Sequence, residues 1–167
     1  WGALFPDMVD AIAPICGSAR TAEHNYVFVD SAVNALMLDP EFKGGWYESQ
    51  PLRGVLAFGH VYSAWLFSQD FFREKLYRQL GLNCRDDVVK FTQRYFLAND
   101  ANDLIAMART WMAGDISANP RFNGDFDAAL AANRDKYGDY TAKPFDSPMT
   151  FQRAAAEVES GSGRVNI

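Results

Sequence analysis

Two cysteines and two histidines in 167 residues leave little material for a disulfide framework or a metal cluster. Cys16 and Cys84 lie far apart, so free thiols in a reducing, cytoplasmic setting are expected. His24 and His60 have no Cys or carboxylate at ligand spacing, and no metal site is expected. No stretch holds the roughly 18 consecutive apolar residues of a membrane span, because Arg, Asp and Glu interrupt every apolar run. No run of Lys or Arg is dense, and with a net charge of -5 and a pI near 4.9 neither nucleic acid nor a membrane is an expected partner. The opening Trp-Gly-Ala-Leu-Phe-Pro has no initiator Met, basic region or small-residue cleavage site, so it is read as the middle of something longer rather than a targeting peptide. A Gly-x-Ser-x-Gly nucleophile turn is also absent. Gly161-Ser162-Gly163 imitates one but follows no strand pattern and opens no helix, and Ser18 follows an apolar run without the flanking glycines.

What is present is apolar. Hydrophobic residues make up 49% and aromatics 14%, far from the composition of disorder and enough for one sizeable core. Met8 to Ile15 is a short apolar run ending at Cys16-Gly17-Ser18, which predicts one buried strand. Thr21 is a candidate N-cap, and Tyr26, Val29, Val33 and Leu36 recur at helical spacing until Asp39-Pro40 forbids further helix. Glu41 to Arg53, with Gly44-Gly45, Pro51, Trp46 and Tyr47, predicts an ordered connection lying on a helical surface. Helical patterns follow over 54–80 with a break near Ser68, over 86–97 and over 100–113. In the last of these, Leu104, Ile105, Ala108, Trp111 and Met112 share a face. A short helix is expected from Asp125 to about Asn133, and another, Pro148 to Glu159, in an otherwise weakly patterned tail. The expected class is therefore mostly α with one short N-terminal strand.

Polar side chains that could carry chemistry are few. The pairs Asp86-Asp87 and Asp100 with Asp103 both open helices, where capping explains them better than acid/base work. His24 sits at a helix start, where it would reach backbone or water. His60 lies among Phe58, Tyr62 and Trp65, either in a core or lining a cavity. The aromatic group Trp65, Phe67, Phe71, Phe72 and Tyr77 suggests a hydrophobic pocket, although packing between helices explains it more simply.

Four segments then carry a resemblance. They are Ala13-Pro14-Ile15-Cys16-Gly17-Ser18-Ala19-Arg20-Thr21 with His24-Asn25; Asp39-Pro40-Glu41-Phe42-Lys43-Gly44-Gly45-Trp46-Tyr47; Pro51-Leu52-Arg53-Gly54; and Phe122-Asn123-Gly124-Asp125-Phe126. Together and in order they resemble the homoserine O-acetyltransferase family of α/β-hydrolases, over residues 1 to about 132. The resemblance implies a core remnant at 1–21, a helical lid at 22–137 and a divergent tail at 138–167. It implies acyl transfer through an acyl-serine, with acetyl-CoA as the acyl donor, or ester hydrolysis as in some relatives. The catalytic Ser would precede Trp1, and the Asp and His would follow the point of divergence, so no catalytic residue is assigned to this chain. Arg20, His24 and Asn25, on a loop facing the active site, join His60 and Tyr62 as substrate-binding candidates for a small-molecule ester or acyl acceptor.

Two departures from the family qualify this. Where the transferases resemble Gly-Leu-Ala-x-Ala-Arg, this chain has Gly54-Val55-Leu56-Ala57-Phe58-Gly59-His60, without the guanidinium that would hold an amino-acid carboxylate. The apolar strand expected after Ala131 is replaced by Asn133-Arg134-Asp135-Lys136-Tyr137-Gly138. The expected partner is a second chain bearing the catalytic core, or further copies of this chain covering its exposed apolar surface. A non-catalytic helical binding or assembly module is the alternative.

Overall fold

The computed structural model describes residues 1–12 and 17–138. These are mostly helical: α1 Glu23–Met37, α2 Leu52–Ser63, α3 Gln69–Arg73, α4 Arg85–Leu97, α5 Ala101–Met112 and α6 Phe126–Tyr137, with 3-10 turns at Pro6–Met8, Pro40–Gly45 and Leu76–Leu80. The chain forms two compact units. One is Thr21–Ala113; the other joins the N-terminal 20 residues to those after Ala113.

The expected strand is not found among the described residues. Pro6–Met8 is a 3-10 turn and Val9 behind it is extended, while residues 13–16 lie outside the described set. A strand needs a neighbour to take up its N–H and C=O groups, and the one pairing described here is an isolated bridge between Arg20 and Asp115. The expected Pro148–Glu159 helix, the Gly161-Ser162-Gly163 sequence and Cys16 also lie outside the described residues.

In the Thr21–Ala113 unit, α1 buries Val29, Ala32, Val33 and Leu36, the i, i+3, i+4, i+7 spacing of one helical face. Tyr26, expected on that face, is exposed. Thr21 is not the cap: Ala22 holds that position, and the Thr21 hydroxyl donates instead to the Trp111 carbonyl. Val55 and Phe58 from α2, Phe96 from α4, and Leu104, Ile105 and Ala108 from α5 complete the core, with Trp111 and Met112 packed at its edge.

Two glycines let the helices approach. A Cβ on Gly54 would lie 2.4 Å from the Leu36 carbonyl oxygen, and one on Gly59 would lie 2.9 Å from Gln93 Cα on α4. Asp39, which ends α1 ahead of Pro40, is buried, and its carboxylate accepts from Glu41 N–H at 3.0 Å and Gly54 N–H at 2.8 Å. One side chain thereby ends α1, starts the 3-10 turn and ties it to α2. Tyr47 packs on Phe42, but Trp46 is 89% exposed. The left-handed conformations of Lys43, Gly44 and Gly45 turn the chain outward, so the expected packing surface is met by one aromatic and not the other.

The pattern over 54–80 is broken more than once. After α2, the Ser68 hydroxyl accepts from Phe71 N–H at 3.2 Å and caps α3, and Lys75 at φ 54 separates α3 from the next 3-10 turn. Phe71, Tyr77 and Val88 form a second small core, with Phe67, Phe72, Leu76 and Leu82 packed on it. Most of the aromatic group suspected of forming a pocket is spent here. No helix among the described residues is long and apolar enough to cross a membrane.

Candidate functional site

Among the described residues, a feature suited to a ligand is an apolar groove of about 660 Å³ in the Thr21–Ala113 unit. It is lined by core side chains, including Val29, Phe58 and Leu104, and by Tyr62, Leu66, Phe67, Phe91, Tyr95, Met107 and Trp111. Every lining residue is uncharged. The walls follow from periodicity: Phe91 and Tyr95 are one turn apart on α4, Met107 and Trp111 one turn apart on α5.

Polar atoms are sparse in this groove. Asn99 donates its amide to the Tyr95 and Phe96 carbonyls at 3.1 and 3.5 Å, closing the end of α4. Burial, and then the neighbouring Tyr95 phenol, push the Tyr62 hydroxyl above its ordinary pKa of 10.0, so Tyr62 is a neutral donor at physiological pH. Phe28 links the groove to a second aromatic group: its ring lies 5.1 Å from Tyr62 and stacks on Trp65 at 4.8 Å, and Trp65 meets the His24 ring edge-on at 4.6 Å.

The candidates named from sequence are thus divided. Tyr62 lines the groove. His24 is exposed and reaches Tyr62 only through two rings outside the groove, Trp65 and Phe28, and Asn25 is half-buried on α1. His60 is exposed on α2 and lines neither a core nor the groove, because Phe58, two residues earlier, takes the inward face. Arg20 belongs to the other unit. There its Nε donates to Asp115 at 2.7 Å and an Nη donates to Ser117 at 3.1 Å, while the guanidinium lies 4.1 Å over the Phe126 ring. Hydrogen bonds from Ser117, first its hydroxyl and then its N–H, with the Arg20 pair behind them, hold the Asp115 carboxyl below its usual range. Arg20 is therefore committed to a local polar cluster.

One acid of each pair accepts backbone N–H groups at a helix start, and only Asp100 is an N-cap. Asp87 accepts from Asn83 N–H at 3.0 Å. Asp100 accepts from Asn102 N–H at 2.8 Å and from the Tyr47 hydroxyl at 2.7 Å. Each carboxyl is lowered, Asp87 chiefly by Asn83 and Asp100 chiefly by Tyr47. Among the described residues no three His, Cys, Asp or Glu side chains come together to hold a metal, and Cys84 is a free, exposed thiol. Sequence reading missed Phe28, Tyr95 and Met107. Periodicity marked Trp111 as core, while the 91/95 and 107/111 pairs carried a signal for a second apolar face.

The relatives of this chain are esterases and homoserine acyltransferases. It is 33% identical over 153 residues to a probable esterase of Corynebacterium glutamicum, covering 90% of this chain and 41% of that protein. It is 32% identical to an ethyl acetate hydrolase of Pseudomonas veronii (92% and 42% covered) and 28% identical to a homoserine O-succinyltransferase of Burkholderia mallei (82% and 40% covered). Among solved structures, an acetylester hydrolase from Corynebacterium glutamicum matches with a TM-score of 0.73 at 33% identity, covering 79% of this chain and 38% of that one. The acetyl esterase MekB matches at 0.74 and 32%, covering 79% and 39%. The chain thus spans about two fifths of the length of the relatives it matches. No family model matches it.

Proposed function

We propose that this chain is the helical lid, with its flanking segments, of an α/β-hydrolase-type enzyme that cleaves small neutral esters, the Ser, Asp and His lying on sequence outside it. The observation that carries this reading is the likeness in fold and sequence to two acetylester-cleaving enzymes. The site favours hydrolysis over transfer to homoserine. The position where the transferase resemblance puts an arginine is Gly59, packed against α4 with no room for a Cβ, and no cation lines the groove to receive a carboxylate.

In such an enzyme a serine oxygen attacks the ester carbonyl, the alcohol leaves with a proton, and water releases the acid from the acyl-serine. A helical lid contributes by holding the apolar part of the ester and excluding bulk water. Homoserine O-acetyltransferase activity with acetyl-CoA is the second reading, favoured by the four ordered segments that resemble that family. A non-catalytic module derived from it is the third.

The test is native mass spectrometry of the protein purified from its source, with every co-purifying chain sequenced, followed by assays on ethyl acetate and on homoserine with acetyl-CoA. The expected result is a species bearing Gly-x-Ser-x-Gly that hydrolyses the ester and leaves homoserine unacetylated. Acetylation of homoserine would establish the second reading. An inactive homo-oligomer, with no nucleophile-bearing sequence in the preparation, would establish the third.

A further inference from the structure

Both ends of the groove's chemistry are unusual for a core that merely failed to close. Its walls expose Phe91, Tyr95 and Met107 by 46%, 65% and 57%, a large apolar area to leave in water. Within those walls, neither the Tyr62 nor the Tyr95 hydroxyl has a hydrogen-bond partner among the described residues. The volume of about 660 Å³ falls within the ~300–1,000 Å³ of small-molecule sites, and it is far larger than a four-carbon ester needs.

We infer that the groove is a binding site for a neutral aryl-bearing molecule with one hydrogen-bond acceptor, such as an aryl ester or ketone, held by aromatic walls and by the Tyr62 and Tyr95 hydroxyls. The ring fits because Phe67, Phe91 and Trp111 all line the groove, and aromatic rings pair with one another by offset stacking or edge-to-face contact. The acceptor fits because the phenols are donors without partners, and an ester or ketone oxygen takes a hydrogen bond without bringing a charge. An anion is excluded: no lining residue is cationic, and a carboxylate would lose its water for nothing in return. This inference does not rest on the hydrolase reading, since binding here needs no nucleophile, and the two can fail separately.

The test uses the purified chain and three probes of similar size: methyl benzoate, benzoate and ethylbenzene. Binding is measured by titration calorimetry and located by NMR of the Met107 methyl and the Trp111 indole N–H. Methyl benzoate is expected to bind with a Kd of about 1 mM or tighter, moving the Met107 and Trp111 signals and sparing those of exposed Trp1 and Trp46. Benzoate should bind at least about tenfold more weakly. Tyr62→Phe and Tyr95→Phe, which remove only a hydroxyl, should together erase the preference for methyl benzoate over ethylbenzene, a loss of about fivefold. Equal binding of ester and carboxylate would overturn the assignment, as would an unchanged ester preference in the double variant. So would signals at Met107 and Trp111 that follow protein concentration and ignore all three probes, since they would give the groove to a second copy of the chain.

Discussion

The two units of this chain are held by different physics. Thr21–Ala113 is built on a core of aliphatic and aromatic side chains drawn from four helices. In the described part of the other unit the buried side chains are small or polar: Ala3, Ser117, Ala129 and Asn133. Its long-range ties are polar: Arg20 to Asp115 and Ser117, Arg121 to the Ala3 carbonyl at 3.0 Å, and the Tyr137 hydroxyl to the Gly2 and Val9 carbonyls at 3.2 and 3.3 Å. Burying one large aliphatic side chain stabilises by ~1.5–3 kcal/mol, whereas a single net hydrogen bond contributes ~0.5–1.5 kcal/mol. The first unit should therefore resist opening longer than the second.

The largest blow to that contrast comes from Leu36→Ala. Leu36 is fully buried at the centre of the larger core, and the cavity should cost about 3 kcal/mol. Region-resolved hydrogen exchange is expected to show faster opening of α1, α2 and α5. If exchange there is unchanged, the core is not what holds this unit.

Acid should narrow the contrast. Asp39, Asp87 and Asp100 in the larger unit and Asp115 in the other all ionise below the ordinary 3.8, held there chiefly by Gly54 N–H, Asn83 N–H, the Tyr47 hydroxyl and the Ser117 hydroxyl respectively. A carboxyl lowered in the folded state contributes stability that is complete above its unfolded value and is lost as pH falls through the folded one. Urea midpoints should therefore be flat above about pH 5 and drop below pH 4, with the greater loss in the unit holding three of the four. Asp39→Asn should flatten part of that drop. A midpoint unmoved between pH 6 and pH 3 would mean that these hydrogen bonds do not favour the charged forms.

The smallest effect belongs to Arg20→Gln. The Arg20 side chain is 45% exposed and that of Asp115 23%, and exposed pairs contribute little. A fall in Tm of about 2 °C is expected, with exchange rising at 114–118 and not in α1. A larger loss in α1 would show Arg20 supporting the helical unit as well.

Much of the helical frame was legible because its signals are local. The α5 face from Leu104 to Met112, the helix starts at Asp100 and Asp125, the stop at Asp39-Pro40 and the break at Ser68 each depend on neighbours within a turn or two. The strand expected over Met8 to Ile15 is absent from residues 8–12, where Met8 is 76% exposed, because an apolar run does not supply the neighbouring strand that its N–H and C=O groups need; residues 13–15 lie outside the described ones. His60 was misplaced for a related reason, since composition around a residue does not say which face of the helix it takes.

By itself, then, the sequence determined the helical regions that became α1, α4 and α5, the stop of α1 at Asp39-Pro40, and that no nucleophile elbow lies within these 167 residues, because each is settled by a few adjacent side chains. Tertiary structure alone decided that residues 114–138 group with the N-terminus, that Arg20 is used up by Asp115, Ser117 and Phe126, and that Tyr62, Tyr95 and Trp111 meet around one uncharged groove. The last of these depends on Gly54 and Gly59 letting α2 close on α1 and α4, contacts between residues far apart in sequence that no local pattern encodes.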